Sequence, residues 1–255
     1  MNEFRHAARK NVLIGYEWIK FAPMQLFYSD RIDSDQINLD QEESRHLKVL
    51  RKQVGDEIMV TDGGGRLYTC VLESLGKNPL LRIDSVQEYP SLNPQIHLIV
   101  APTKSVDRIE WMLEKCVEIG IHELSFILCE RSERKIIKLE RLRKKAVSAM
   151  KQSKQFHLPK INEIEKLGPV LGSIPADAQK WMGHCEEESD KARPRSMRGD
   201  KHVLLIGPEG DFSKTEIEIA KQAGFKSIDL GPTILRTETA AVVGCALLRN
   251  GMQLG

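Results

Sequence analysis

The sequence predicts an α/β protein built on a parallel sheet, with a small β-barrel ahead of it. Three observations predict this. Val203–Ile206 is an apolar run without polar alternation, as in a strand covered on both faces. It stops at Gly207-Pro208-Glu209-Gly210, where no regular element can continue. Phe225–Leu230 repeats the arrangement and stops at Gly231-Pro232. Ahead of both, from Gln25 to about Glu88, short strand-like runs are separated by turn residues. Two parallel strands ending in Gly-Pro loops open those loops on the same sheet edge, where open α/β sheets bind ligands.

Taken in order, the candidate strands of the first part are Gln25–Tyr28, Ile37–Leu39, Glu57–Thr61, Tyr68–Ser74 and Leu80–Val86. Asp62-Gly63-Gly64-Gly65 reads as a hairpin turn between two of them, since no helix follows to make it a ligand loop. Glu42–Arg51 is the one helical segment. Tyr89-Pro90-Ser91-Leu92-Asn93-Pro94 breaks any regular element and marks the domain boundary, giving a barrel at 24–90 and a second domain at 91–255.

Beyond the boundary, Ile96–Val100 reads as a strand and Ala101–Lys104 as a loop. A helix follows, with Val106, Ile109, Leu113, Cys116 and Val117 at helical spacing and Asp107 and Glu110 near its positive end. Gly120 stops it and Leu124–Leu128 is the next strand, which makes a right-handed βαβ unit. Between Arg131 and Lys160 stand eleven basic residues against Glu133 and Glu140 only, a local excess of nine. Leu139, Leu142, Ala146 and Ala149 form the buried stripe of a helix there and turn Arg141, Arg143, Lys144 and Lys145 outward. A solvated helix face is the ordinary reading of such charges, but an excess of one sign points to a polyphosphate partner.

Lys180–Cys185 reads as a strand leading into the site and Glu186–Asp200, polar and mixed in charge, as a mobile loop. His184 and Cys185 raise the question of a metal, but no second ligand pair supports one. Ser213 stands three residues before Glu216, the pattern of a capping box, and opens a helix that ends at Gly224. After the second Gly-Pro loop, Thr237 is the expected cap of a helix rich in small residues.

The composition is that of an ordinary globular chain: 255 residues, 29% charged, net charge +2, mean hydropathy -0.34. So small a net charge leaves any nucleic-acid site to local clustering. The five cysteines, Cys70, Cys116, Cys129, Cys185 and Cys245, are scattered and odd in number, which fits reduced thiols in a cytoplasm. No apolar run approaches a membrane span, and Met1–Pro23 lacks the apolar core and cleavage site of a signal peptide. Met24 reads as the natural start, with residues 1–23 a poorly ordered extension.

A phosphate-binding loop closing at Lys214-Thr215 fails at both required glycines, where Pro208 and Ser213 stand, and GxGxxG is absent. The two loops instead carry a specific resemblance. Leu205-Ile206-Gly207-Pro208-Glu209-Gly210, then Phe212-Ser213, then Leu230-Gly231-Pro232 and Ile234-Leu235-Arg236-Thr237-Glu238-Thr239-Ala240, resemble the C-terminal signature of the RsmE-type methyltransferases of the SPOUT class. Lys115, Glu118 and Gly120 also match that family's pattern, and His46–Arg51 with Val54-Gly55-Asp56 resembles its PUA-like domain. The likeness runs from about Met24 to Leu248. Two positions depart from it: Asp211 replaces a second glycine, and Gln155 replaces the arginine of a Gln-Ser-x-Arg element, with Lys154 beside it only a point charge.

The resemblance implies methylation of N3 of a uridine in 16S ribosomal RNA with S-adenosyl-L-methionine as donor. It further implies a C-terminal trefoil knot behind a PUA-like barrel and a homodimer with the small ribosomal subunit as partner. The sulfonium is already activated, so the reaction needs no metal. Cofactor contacts are expected from Leu205, Gly207, Glu209, Gly210, Leu230, Gly231, Pro232 and Leu235. Arg236 is expected to stabilise charge on the deprotonated uracil, and Glu238 to act as base or to orient Arg236. RNA contacts are expected from His46, Lys48 and Arg51 in the barrel, and from Arg131, Arg134, Arg141, Lys144, Lys145 and Lys154 in the basic segment. A non-catalytic RNA-binding assembly factor would carry the same barrel and basic segment, but not the two complete loops.

Overall fold

The structure, a computed structural model, describes residues 25–186, 191–192 and 199–251. The 1–23 extension lies outside the described residues, as do residues 187–190 and 193–198 of the loop expected at Glu186–Asp200. The chain divides between Ser91 and Leu92 into two compact units.

In the first unit, strands β1 (Leu26–Tyr28), β2 (Gln36–Asn38), β3 (Glu57–Thr61), β4 (Arg66–Ser74) and β5 (Leu80–Glu88) form one sheet in the order β1-β3-β4-β5-β2. The segment after β1 then bonds to β2: the Asn38 amide donates to the Arg31 carbonyl at 3.1 Å, and Ile32 bridges Ile37. The two outer strands thus meet, and the curled sheet encloses a core of Phe27, Ile37, Leu39, Leu47, Val60, Leu72 and Leu81. Asp62 makes the β3–β4 hairpin as expected, its carboxylate accepting the amides of Gly64 at 2.7 Å and Arg66 at 3.2 Å. Helix α1 (Gln41–Val49) is capped by Asp40, which accepts the amides of Glu42 and Glu43.

The second unit holds an all-parallel sheet of β6 (Gln95–Val100), β7 (Glu123–Leu128), β8 (Lys160–Lys166), β9 (Gln179–Gly183), β10 (Lys201–Ile206) and β11 (Lys226–Ser227), in the order β11-β9-β10-β6-β7-β8. Helices α2 (Val106–Ile119), α3 (Leu139–Gln152), α4 (Leu167–Gly172), α5 (Lys214–Gln222) and α6 (Thr237–Asn250) complete it. Helix α2 ends at Gly120 in the left-handed conformation. The Ser213–Glu216 capping box is formed in both directions, and the second oxygen of Glu216 accepts the Glu130 amide at 2.8 Å.

Several expectations are corrected. β8 and α4 carried no clear sequence signal: β8 is an edge strand of alternating charges, and α4 contains Gly168, Pro169 and Gly172. β11 is shorter than Phe225–Leu230, because only Lys226 and Ser227 pair with β9 before the chain leaves the sheet. The N-cap of α6 is Arg236, without a side-chain cap; Thr237 lies inside the helix and bonds elsewhere.

Helix α6 packs against β10, β6 and α2. Its small residues serve that contact: Ala240, Ala241 and Gly244 are buried, and a β-carbon on Gly244 would come within 2.5 Å of Leu204 Cδ2. Close approach of helix to sheet, within the chain, thus accounts for these residues. Among the described residues no helix is long and apolar enough to cross a membrane.

Candidate functional site

The carboxyl ends of β9, β10 and β11 lie side by side, because β9 pairs in parallel with both of the others. The chain leaving each strand turns at once, β10 into Gly207-Pro208-Glu209 and β11 through Ile228-Asp229-Leu230 into Gly231-Pro232. Between these loops is a cavity of about 410 Å³, inside the roughly 300–1,000 Å³ range of small-molecule sites. Ile206, Ile228, Leu230, Leu235 and Ala240 supply apolar wall, and Glu209, Asp211, Asp229, Lys191 and Arg236 bring polar groups to its lining.

Of the expected cofactor residues, Gly207, Glu209, Leu230, Gly231, Pro232 and Leu235 line this cavity. Leu205 does not. Side chains alternate along a strand, so Leu205 faces the opposite side from Ile206 and is fully buried in the core with Phe212, Ile217 and Ala220. Ile206 is the wall residue in its place. Gly210 is also outside the lining; its carbonyl accepts from Arg131 Nη1 at 2.7 Å. Gly231 has φ 124°, a conformation that side-chain-bearing residues rarely adopt.

The loops are tied to one another and to their surroundings. Thr237 Oγ1 donates to the Gly207 carbonyl at 3.1 Å, joining the start of α6 to the first loop. Asp211 takes the left-handed backbone at φ 60°, and its Oδ2 accepts the Cys185 amide at 3.0 Å, joining the first loop to the end of β9. Asparagine and aspartate tolerate that conformation better than most residues, so the departure at Asp211 is accommodated and gains a bond that glycine cannot make. His184 hydrogen-bonds Ser227 Oγ at 2.7 Å, and so joins β9 to β11. Glu209 Oε1 accepts the Lys104 amide at 3.0 Å, while the Lys104 ammonium pairs with Glu133, which holds its pKa above the ordinary lysine value.

Arg236 is exposed and Glu238 is buried, at 6% exposure. Glu238 does not orient Arg236; its Oε1 lies 3.6 Å from Nε of Arg108 on α2. Its Oε2 is buried without a hydrogen-bond partner. Nor does Glu238 reach the first cavity. It lines a second, more open cleft of about 620 Å³ together with Asp107, Arg108, Trp111 and Thr239. Ile234, Leu235 and Arg236 line both, so the two spaces share a wall.

The basic segment is largely engaged within the fold. Arg134 Nε donates to the Thr103 carbonyl at 3.0 Å, and a second nitrogen donates to the Lys104 carbonyl. Arg131 thus bonds the loop after β10 while staying exposed, and Arg134 bonds the Thr103–Lys104 loop. Arg141 pairs with Glu110 and Lys145 with Glu114 at 2.6 Å, both across to α2. Lys144 stays largely exposed, with only Glu140 at 3.8 Å. Lys154 adopts φ 55° at the end of α3. Beside it Gln155, the departure from the Gln-Ser-x-Arg pattern, donates Nε2 to the carbonyls of Val117 and Glu118 at 2.8 and 2.9 Å, satisfying the end of α2. In the first unit, Lys48 and Arg51 are exposed, whereas His46 is half-buried beside Phe27, its Nδ1 3.4 Å from Glu43.

The residues present fit an adenosyl sulfonium: a mainly apolar slot closed by two backbone loops, with acidic and basic side chains in its lining and no glycine-lysine cradle for phosphates. Comparison with known proteins agrees. Residues 90–249 match the family model described as RNA methyltransferase domain, and residues 39–83 match the RNA methyltransferase PUA domain. The ribosomal RNA small subunit methyltransferase E of Aquifex aeolicus is 29% identical over 89% of this chain and 100% of its own length. Among solved structures, a probable rRNA-methyltransferase from Porphyromonas gingivalis is 37% identical, with TM-score 0.84 over 90% of this chain and 99% of that one. The ribosomal RNA small subunit methyltransferase E of Neisseria gonorrhoeae, bound to S-adenosyl methionine, is 28% identical, with TM-score 0.80 over 89% and 97%. This chain belongs to the RNA methyltransferase family that includes those ribosomal RNA small subunit methyltransferases E.

Proposed function

We propose that this protein transfers a methyl group from S-adenosyl-L-methionine to N3 of a uridine in 16S ribosomal RNA. The single observation that carries the proposal is the apolar cavity between the loops after β10 and β11, with Arg236 on the wall it shares with the adjoining cleft. A bound donor supplies a methyl carbon already activated by its sulfonium. The protein's own tasks are to exclude water, to align the uracil nitrogen with that carbon and to manage the N3 proton. Gly207, Glu209, Leu230, Gly231, Pro232 and Leu235 hold the donor. Arg236 stabilises the negative charge left on the ring when N3 loses its proton, and Glu238 receives that proton.

Residues 24–90 form, in this reading, the RNA-gripping PUA-like domain and 91–255 the transferase, acting in the cytoplasm on the small ribosomal subunit as a homodimer. A trefoil knot is part of the proposal. Its support is that Ala192, on the link from β9 to β10, bridges Ile228 on the side of the β11 segment away from β9.

Calorimetry with S-adenosylmethionine and its demethylated product, together with mass-spectrometric mapping of 16S rRNA from cells with and without the gene, tests the reading. Uptake of both ligands and loss of one 3-methyluridine are expected. Arg236→Ala should lower turnover by about 10²–10³ while sparing donor affinity. Absence of donor uptake would leave an RNA-binding assembly factor.

A further inference from the structure

We infer that the open cleft beside the donor cavity is the seat of the acceptor base, and that it is built to select a uracil-type ring over cytosine. The inference rests on the proposed methyl transfer and assigns the acceptor site and its readers. The cleft shares Ile234, Leu235 and Arg236 with the donor cavity, so a ring seated in it would adjoin that cavity. The rest of its lining is Asp107, Arg108, Trp111, Glu238 and Thr239.

Two observations point to a planar ligand with a donor at its centre. Trp111 on α2 leaves 44% of its surface exposed while lining the cleft, although the other described tryptophan, Trp181, is buried in β9. An accessible indole in a cleft is a stacking platform, and base–aromatic stacking is tolerant of sequence. Glu238 is more than nine-tenths buried, and its Oε2 has no hydrogen-bond partner. A buried acceptor without a donor is costly and rare in native folds. Its place in the first turn of α6 eases the charge, but the lone pairs still lack a hydrogen.

The edge of uracil supplies one. It reads acceptor–donor–acceptor, O2, N3–H and O4. The complement is donor–acceptor–donor, and the cleft is lined by two guanidinium groups, Arg108 and Arg236, and by the carboxylates of Glu238 and Asp107. Arg108 stands 3.6 Å from Glu238 Oε1, so Oε2 is left for N3–H. Cytosine presents an unprotonated N3 and an amino group, so it would set two acceptors against each other and offer the arginines one oxygen instead of two. Such a site rejects the wrong ring because its own polar groups would be left unpaired. Inside a duplex this edge is hidden, so the target base must be unpaired or flipped out.

The test measures binding of the full-length protein, with S-adenosylhomocysteine present, to a single-stranded oligoribonucleotide carrying one uridine and to its cytidine counterpart. Methylation of small ribosomal subunits is followed in parallel. The wild type should prefer the uridine strand by about tenfold or more. Trp111→Ala should weaken uridine binding by about tenfold and raise KM on subunits, with S-adenosylhomocysteine affinity unchanged and with Trp111→Phe restoring most of the loss. Glu238→Gln should erase the preference for uridine. If Trp111→Ala keeps wild-type uridine affinity and Arg108→Ala keeps wild-type discrimination while the wild type methylates subunits, the cleft is not the base seat. Dissociation of Trp111→Ala into monomers with uridine affinity intact would identify a subunit contact instead and overturn the inference. A wild type that neither takes up S-adenosylhomocysteine nor methylates subunits would overturn the proposed transfer itself, and this assignment with it.

Discussion

Thr237 and Gly207, thirty positions apart in sequence, are joined by a hydrogen bond of 3.1 Å from the threonine hydroxyl to the glycine carbonyl. Both residues are buried, and the bond fastens the loop after β10 to the first turn of α6. The floor of the cavity is therefore held by one contact between the two motifs that mark the family.

Thr237→Val retains the shape of the side chain and removes the donor. The Gly207 carbonyl would then be buried with that partner lost, at a cost of about 1–3 kcal/mol. Urea denaturation should register this as a lower midpoint without a change of slope. Calorimetry should show weaker S-adenosylmethionine binding. An unaltered donor affinity would mean that the first loop keeps its shape without the tie.

Asp211 offers a separate test of the same loop. Replacement by alanine removes the bond to the Cys185 amide and also leaves a left-handed backbone costing roughly 1–2 kcal/mol. Replacement by glycine removes the bond alone. Asp211→Ala should consequently lose more stability and more donor affinity than Asp211→Gly, in side-by-side thermal melts and titrations. Equal losses in the two variants would show that the hydrogen bond, and not the backbone conformation, dominates at this position.

The basic segment separates into residues that hold the fold and residues free to meet phosphate. Lys144→Ala should weaken RNA binding evenly across sequences and reduce the slope of log affinity against log salt by about 1, with the donor site untouched. Arg131→Ala should do the opposite: its bonds to the Gly210 and Phe212 carbonyls position the first loop, so donor affinity falls while the salt slope is preserved. Salt titrations of both variants against a 16S rRNA fragment distinguish the two roles.

His122 gives the stability of the second unit a pH dependence. Burial, and then the positive charges of Arg249 and His157, lower its pKa to about 4. Its Nδ1 accepts the Ile96 amide at 3.2 Å, which requires that nitrogen to be unprotonated. The folded value lies below the unfolded value of about 6.5. Protons therefore bind the unfolded chain more readily between those limits, and stability is lost as pH falls through that window. The loss attributable to this group should reach about 2–3 kcal/mol by pH 4.5. In His122→Gln, whose amide oxygen can accept the same N–H, the difference in urea midpoint between pH 7 and pH 4.5 should shrink accordingly.

Much of this protein is local and is already present in the order of its residues. The Asp62 hairpin, the left-handed stop at Gly120, the Ser213–Glu216 capping box and the two Gly-Pro loops each depend on neighbours a few positions away. The apolar runs of β6, β7 and β10 mark a sheet covered on both faces for the same reason. The packed chain alone decided which groups meet across long separations. Arg131 and Arg134 reach carbonyls of distant loops, Arg141 finds Glu110, and Glu238 faces Arg108 instead of Arg236. Leu205 turns into the core while Ile206 forms the pocket wall. A charge or an apolar side chain carries no mark of its partner in the sequence. Its role follows from the helix or strand face on which packing sets it and from what that face is pressed against.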